Sequence, residues 1–168
     1  LIDVALLDSE KGVKNAGTFQ LICRDCDSKI FQEYEDPKNY EKETTPKMLA
    51  QIAMKNYLRN IGKRLNEHAM FEIASEINPF ACGMTEYMHS IQEIDLLDYK
   101  REFEKAKRLS KKNWNGEYYQ FYYEKLDYVV PLAYQGSISL VVDLDGMIVN
   151  NIYNKDINYK IQDLHICI

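Results

Sequence analysis

Cys23 and Cys26, in the stretch Leu21-Ile22-Cys23-Arg24-Asp25-Cys26-Asp27, are the residues best suited to chemistry in this 168-residue chain. A Cys-x-x-Cys pair turns two thiolates toward one point, which is half of a tetrahedral zinc site. Cys82, His165 and Cys167 are the further ligands the chain itself offers. His165 and Cys167 stand at i and i+2 of an apolar run, so on a strand they share one face. The pair also fits a dithiol redox motif at a helix start. Against that role, the chain that follows does not alternate strand and helix, and Asp25 and Asp27 oppose thiolate formation. As a third option, two small apolar side chains fit an ordinary core. Four cysteines without an export signal suit reduced thiols in an intracellular, cytoplasmic setting.

Residues 17–34 resemble the second knuckle of treble-clef zinc modules, the HNH endonuclease family among them. There a strand leads into Leu-Cys-x-x-Cys-His and a helix follows. The resemblance implies that Cys23 and Cys26 hold zinc. The chain departs from the family at three points. Asp27 stands where the family has His, and residues 1–22 contain neither a first Cys pair nor a catalytic His. Without that His no general base activates water for phosphodiester attack. The chain as given is therefore expected to lack nuclease activity: either the family's catalytic half precedes Leu1, or the site is a relic.

Lys105, Lys107, Arg108, Lys111 and Lys112, with Trp114 beside them, form a candidate nucleic-acid contact, cations on phosphate and indole on a base. The same cations would also suit the negative end of a helix dipole. Residues 98–112 carry a net +4, while the rest of the chain carries −9. A pI of 5.3 works against non-specific nucleic-acid binding and leaves only this local patch. Tyr118, Tyr119, Phe121, Tyr122, Tyr123, Tyr128 and Tyr134 make a second feature. On a strand, Tyr119, Phe121 and Tyr123 would share one face, either covered by the helices or open to a partner. Glu67 and His68 are neighbours and point about 100° apart on a helix. His89 has Glu86 and Glu93 at helical spacing, but no two-His zincin pattern occurs. Asp143-Leu144-Asp145-Gly146 has Gly fourth and Asn154 twelfth, which excludes an EF-hand loop. Phosphate-loop, dinucleotide and nucleophile-elbow signatures are absent.

The elements that would carry these residues read as follows. Residues 1–23 alternate as a hairpin around Asn15-Ala16-Gly17. Residues 28–34 suit one or two helical turns, ended by Asp36-Pro37. Thr44-Thr45-Pro46 gives a cap and a first-turn proline for a helix running to about Ile77, where Asn78-Pro79 stops it. Leu49, Ile52, Ala53, Tyr57, Ile61, Leu65, His68 and Ala69 form its apolar stripe. A second helix is expected over 85–112, its stripe Met88, Ile91, Leu96, Tyr99, Phe103 and Ala106. Residues 118–130, 138–142, 147–153 and 159–168 read as four strands of an antiparallel meander.

The blocked order predicts an α+β fold with an N-terminal hairpin, two long helices and a C-terminal sheet. It is read as a single domain, 1–168, with subregions 1–45, 46–113 and 114–168. The chain opens at Leu1 and stops inside the run Leu164-His165-Ile166-Cys167-Ile168, so it reads as an excerpt of a longer protein. No run of eighteen apolar residues exists to span a bilayer. The leading functional expectation is a binding module, zinc-stapled at Cys23 and Cys26, that recognises nucleic acid or protein. The alternatives are a fragment of an HNH-like nuclease from a mobile-element or defence setting, and a structural or oligomerisation domain.

Overall fold

The computed structural model describes residues 21–78, 80, 82–111, 117–128, 131, 134–151, 154, 156 and 158–168. Its dominant feature is an antiparallel pair of long helices, α3 (Pro46–Ile77) and α4 (Cys82–Leu109). α3 starts where the sequence places it. The Thr45 hydroxyl accepts the Met48 amide at 3.2 Å and Pro46 fills the first turn. Asn78 caps its far end and donates its backbone N–H to the Ala74 carbonyl at 2.9 Å. α4 begins three residues earlier than the expected start at 85 and ends three earlier than the expected 112.

Two short helices, α1 (Arg24–Ile30) and α2 (Gln32–Glu35), and a 3-10 turn (Pro37–Glu41) precede α3 and pack against its first half. Lys55 on α3 ties them down. Its ammonium meets Asp27 at 3.2 Å, pairs with Glu35, and lies 4.8 Å from the centre of the Phe31 ring. The Gln51 amide oxygen accepts the Tyr34 backbone N–H at 3.2 Å inside this contact. On another side of α3 lies a ribbon of two antiparallel strands, β1 (Gln135–Ile138) and β2 (Leu164–Cys167), registered Gln135↔Cys167 to Ile138↔Leu164. Asn56 donates to the Gly136 carbonyl at 2.7 Å and Asn60 to the Ser137 hydroxyl at 2.9 Å. These side-chain bonds dock β1 onto the helix.

The core therefore sits around the first half of α3. Phe31, Tyr34, Met48, Ile52, Ala53, Met54, Tyr57, Leu58 and Ala106 form it, with Tyr40, Tyr99, Phe103 and Tyr118 packed alongside. Each large side chain buried this way contributes about 1.5–3 kcal/mol. Because partners approach from several sides, Met48, Met54, Asn56 and Leu58 are buried as well as Ile52, Ala53, Tyr57 and Ile61 of the expected stripe, while Leu49 is half-buried. Among the described residues of α3, none beyond Gly62 is buried. Leu65 and Ala69, expected in the core, are exposed, and so is Ile91 on α4.

The described residues correct the expected α+β architecture. They contain helices and a single two-stranded ribbon, not a four-stranded meander. The segment 117–128 makes no ladder. Tyr119 and Phe121 are each 80% exposed, so it has no buried face to fit, and β-propensity is chiefly a measure of such fit. Around Asp143–Gly146 only one bridge forms, Val142↔Ile148, closed by Gly146 at φ 80°. Between residues 140 and 162 a side chain stands in for strand pairing. The fully buried Asn150 donates to the carbonyls of Leu140 at 2.7 Å and Gln162 at 3.0 Å, and accepts the Gln162 N–H at 2.8 Å. The first strand and turn of the expected N-terminal hairpin lie outside the described residues. Leu21 and Ile22, expected to end its second strand, are bends that lead into α1. Among the described residues no helix is long and apolar enough to cross a membrane.

Candidate functional site

The structure places Cys23 and Cys26 at the start of α1. Cys23 is its N-cap, with extended backbone (φ −74°, ψ 156°), and its sulfur accepts the Cys26 N–H at 3.3 Å. A sulfur thus does the work of the usual capping oxygen. Asp25 and Asp27 occupy the first turn and Lys29 the last, the order the helix dipole favours. Both thiols are free and exposed. The hydrogen bond from the Cys26 thiol, followed by that from its backbone N–H, holds the Cys23 thiol below the ordinary cysteine range. Donating that bond raises Cys26 in turn.

Two adjacent thiols supply two of four zinc ligands. Among the described residues no three His, Cys, Asp or Glu side chains converge as a metal set. His165 and Cys167, expected as completing ligands, have other settings. The His165 ring stands edge-on to Tyr57 (5.1 Å, 80°) and Tyr118 (6.0 Å, 72°). Its Nδ1 lies 3.3 Å from the Asn56 amide nitrogen, which donates, so Nδ1 carries a lone pair and the proton sits on Nε2. Burial lowers the pKa of His165, and Asp163 offsets this only in part. The Cys167 thiol lies against the Tyr40 hydroxyl, and its partial cover raises its pKa. Cys82 opens α4.

Around His165 the polar groups are spent on holding the ribbon. Asp163 accepts from the Tyr57 hydroxyl at 3.2 Å and from the Ser139 hydroxyl. Burial pushes the Tyr57, Tyr118 and Tyr99 phenols up, so all three stay protonated. His68 and His89 face each other across α3 and α4 with rings stacked at 3.9 Å. Arg64 links the same helices through Asp95 at 2.8 Å while holding Glu67 on its own helix at 2.5 Å.

Two of the five cations in the basic run have carboxylate partners. Lys105 pairs with Glu117 at 2.9 Å and leans over the Tyr118 ring, and Lys107 pairs with Glu104 at 3.0 Å. Arg108 and Lys111 are exposed, while Lys112 and Trp114 lie outside the described residues. The tyrosine-rich segment is not one platform. Tyr118 packs against the core, Tyr123 donates its hydroxyl to the Tyr40 carbonyl at 2.8 Å, and Tyr119, Phe121 and Tyr122 are open to solvent.

Comparison with family models, curated proteins and solved structures finds no match. The geometry alone must therefore carry a functional reading, and its least expected feature lies on the outer half of α4. Met84, Tyr87, Ile91 and Ile94 are 73%, 65%, 37% and 63% exposed, and Phe80 just before the helix is fully so. Their 3-4-3 spacing aligns them along one side of α4, as in a coiled-coil seam. The side of α4 turned to α3 carries Thr85, Gln92, Leu96 and Ala106, all buried. The sequence does hold this signal. Positions 84, 87, 91 and 94 form a second apolar period, hidden because the first stripe shares Ile91 with it.

Proposed function

We propose that this domain is a protein-recognition module that docks through the outer half of its α3–α4 hairpin. The observation that carries the reading is the solvent-facing seam Met84-Tyr87-Ile91-Ile94. A contiguous row of large apolar side chains on a surface helix marks an interaction site more often than scattered exposure does. The carboxylates bound to Lys105 and Lys107 count against the nucleic-acid alternative, since a phosphate would have to displace them.

Placing a photo-crosslinking residue at position 87, with position 100 as control, tests this in cells. A discrete protein adduct at 87, absent at 100 and lost with Ile91→Asp, is expected. Equal labelling at both positions, or salt-dependent DNA or RNA binding lost on changing Arg108 and Lys111 to Glu, would overturn it.

A second element of the reading is a zinc staple at Cys23 and Cys26. Both thiols are exposed in the first turn of a helix, the place the second knuckle of a treble clef occupies, and this supports it. Metal analysis tests it. Zinc that co-purifies with the chain and disappears with Cys26→Ser is expected, and a metal content indifferent to that change would discard the staple.

A further inference from the structure

Cys23 and Cys26 offer a chemistry separate from the apolar row of α4. Both thiols are exposed and neither belongs to the core, so packing does not account for them. They stand three residues apart where α1 begins, the Cys23 sulfur accepting the Cys26 N–H at 3.3 Å. At that spacing in a helical turn the two Cα atoms lie about 5–6 Å apart. A disulfide spans about 4.4–6.8 Å between Cα atoms, so the turn suits one. The turn is also fastened to the rest of the domain. Phe31, directly after α1, is fully buried, and Lys55 of α3 holds Asp27 at 3.2 Å. That ion pair bears on reactivity as well. Of the two carboxylates that oppose thiolate formation here, Asp27 is partnered by a cation. The missing alternation of strand and helix concerns the fold around the pair and leaves this local geometry intact.

We propose that Cys23 and Cys26 form a reversible dithiol–disulfide pair that exchanges with a small-molecule disulfide of the glutathione type. In the oxidising direction the Cys23 thiolate, stabilised by the bond it accepts, attacks one sulfur of glutathione disulfide. A mixed disulfide forms and one glutathione thiolate leaves. The Cys26 thiol gives its proton to solvent and attacks the Cys23 sulfur, which closes the protein disulfide and expels the second glutathione. Two protein thiols are oxidised and one small disulfide is reduced to two thiols. Reduced glutathione runs the same steps backward. Exposure of both sulfurs keeps the exchange reversible, because open disulfides are the labile ones. The inference does not rest on the protein-recognition reading. It shares its two sulfurs with the zinc staple, and a pair closed as a disulfide has no thiolate left for a metal.

The full chain, freed of metal by a chelator, is equilibrated in glutathione buffers of rising oxidised fraction, trapped with iodoacetamide and digested with trypsin. Trypsin cuts after Arg24, so the disulfide keeps fragment 15–24 joined to fragment 25–29, which mass spectrometry reads. The joined fragments are expected to appear as the oxidised fraction rises and to vanish when reduced glutathione is restored. Cys26→Ser should halt at glutathione attached to Cys23. Moving the second cysteine, as Cys26→Ser with Ser28→Cys, sets the Cα atoms about 8–9 Å apart along α1. That is beyond the reach of a disulfide, about 7 Å. This variant, changed only at exposed positions, should yield at least tenfold less joined product than the wild type when folded and should close in urea. No joined product from the folded wild type, product that reduced glutathione does not reopen, or a relocated pair that closes as readily as the native one would each overturn the proposal. A chain that carries zinc at this pair and never closes after chelation loses the disulfide and keeps the staple. One that closes and reopens without ever holding zinc keeps the disulfide and loses the staple.

Discussion

Replacing Asn150 by Ala tests the most consequential departure from the expected sheet. Asn150 is fully buried, and its amide makes three bonds to the chain near residues 140 and 162, beside the Ser139–Asp163 bond and the Ile138↔Leu164 pairing that join the same stretches. An intramolecular hydrogen bond contributes about 0.5–1.5 kcal/mol net. Leu140 and Gln162 are themselves exposed residues, so water can reach part of what is vacated. The lower half of that range applies, and the sum over three bonds is about 1.5–3 kcal/mol. For a domain whose whole stability is on the order of 5–15 kcal/mol, this is a large fraction.

Urea denaturation should register the loss as a midpoint lowered by about 1 M, given a slope of about 2 kcal/mol per M. Hydrogen exchange should localise it. The Gln162 amide loses its acceptor, the Asn150 side-chain oxygen, and should exchange faster, while the Phe31 amide, bonded to the Asp27 carbonyl in α1, should not change. Asn150→Asp sharpens the argument. Aspartate keeps an acceptor for Gln162 N–H but loses both donors, and it turns a carboxylate toward the carbonyls of Leu140 and Gln162. It should cost at least as much as Ala. Asn154→Ala is the control, since among the described residues the Asn154 side chain accepts only the exposed Asp156 amide, at 2.9 Å. A midpoint for Asn150→Ala within error of that control would refute the view that this one amide replaces strand pairing.

Three further outcomes follow from the geometry. Because the Cys26 thiol and amide both donate to Cys23, Cys23 should be alkylated by iodoacetamide ahead of Cys26 near pH 8, as peptide mapping would show; the reverse order would contradict the capping geometry. Burial lowers the folded-state pKa of His165, so the unfolded chain binds the proton more readily; its contribution to stability is whole above the unfolded value of about 6.5 and is lost as pH falls through the folded value. Urea midpoints measured from pH 7 down to 5 should therefore fall more steeply for the wild type than for His165→Gln, and parallel curves would remove His165 as the cause. Asn56→Ala leaves the Gly136 carbonyl and His165 Nδ1 without their donor and should cost about 1–3 kcal/mol in denaturant melts, with exchange rising in the ribbon first; a loss spread evenly over α3 would show that the docking bond is not what it removes.

What the sequence made legible depends on how local the deciding physics is. Thr45-Pro46 and Asn78-Pro79 act within one turn of the chain, and both ends of α3 fall where these residues predict. The β-formers at 19–22 predict Cys23 at the end of a strand. It caps a helix instead, since a sulfur can accept the Cys26 amide as a hydroxyl would. The tyrosine-rich segment misled for a non-local reason. Its composition suits a pleated surface, but nothing covers Tyr119 or Phe121. Asn56 and Asn150 carried no signal, because an asparagine reads as a turn former until the carbonyls it clamps are in place. In the candidate site, the Cys pair and the basic run were visible from residue type alone, whereas the pairing of Lys105 with Glu117 depends on how the chain returns after α4.

The two halves of the α3–α4 hairpin make different demands on sequence, and the difference argues for function in the outer half. Near Tyr57 the helices are enclosed by α1, α2 and the ribbon, so apolar residues there are explained by the core they fill. Past Gly62 the helices meet chiefly through polar groups: Arg64 to Asp95, His68 stacked on His89, and a buried Gln92. Folding alone would then permit polar residues on every outward position. Met84, Tyr87 and Ile94 face outward all the same, at the spacing of a seam, and their exposure lends the isolated chain no burial energy. On the inner face of this half, the polar contacts, with Leu96 and with Phe71 edge-on to His89, fix how the two helices align without using Met84, Tyr87 or Ile94. Those side chains remain outside, on a helix already formed, where a partner would bury them without first folding the surface.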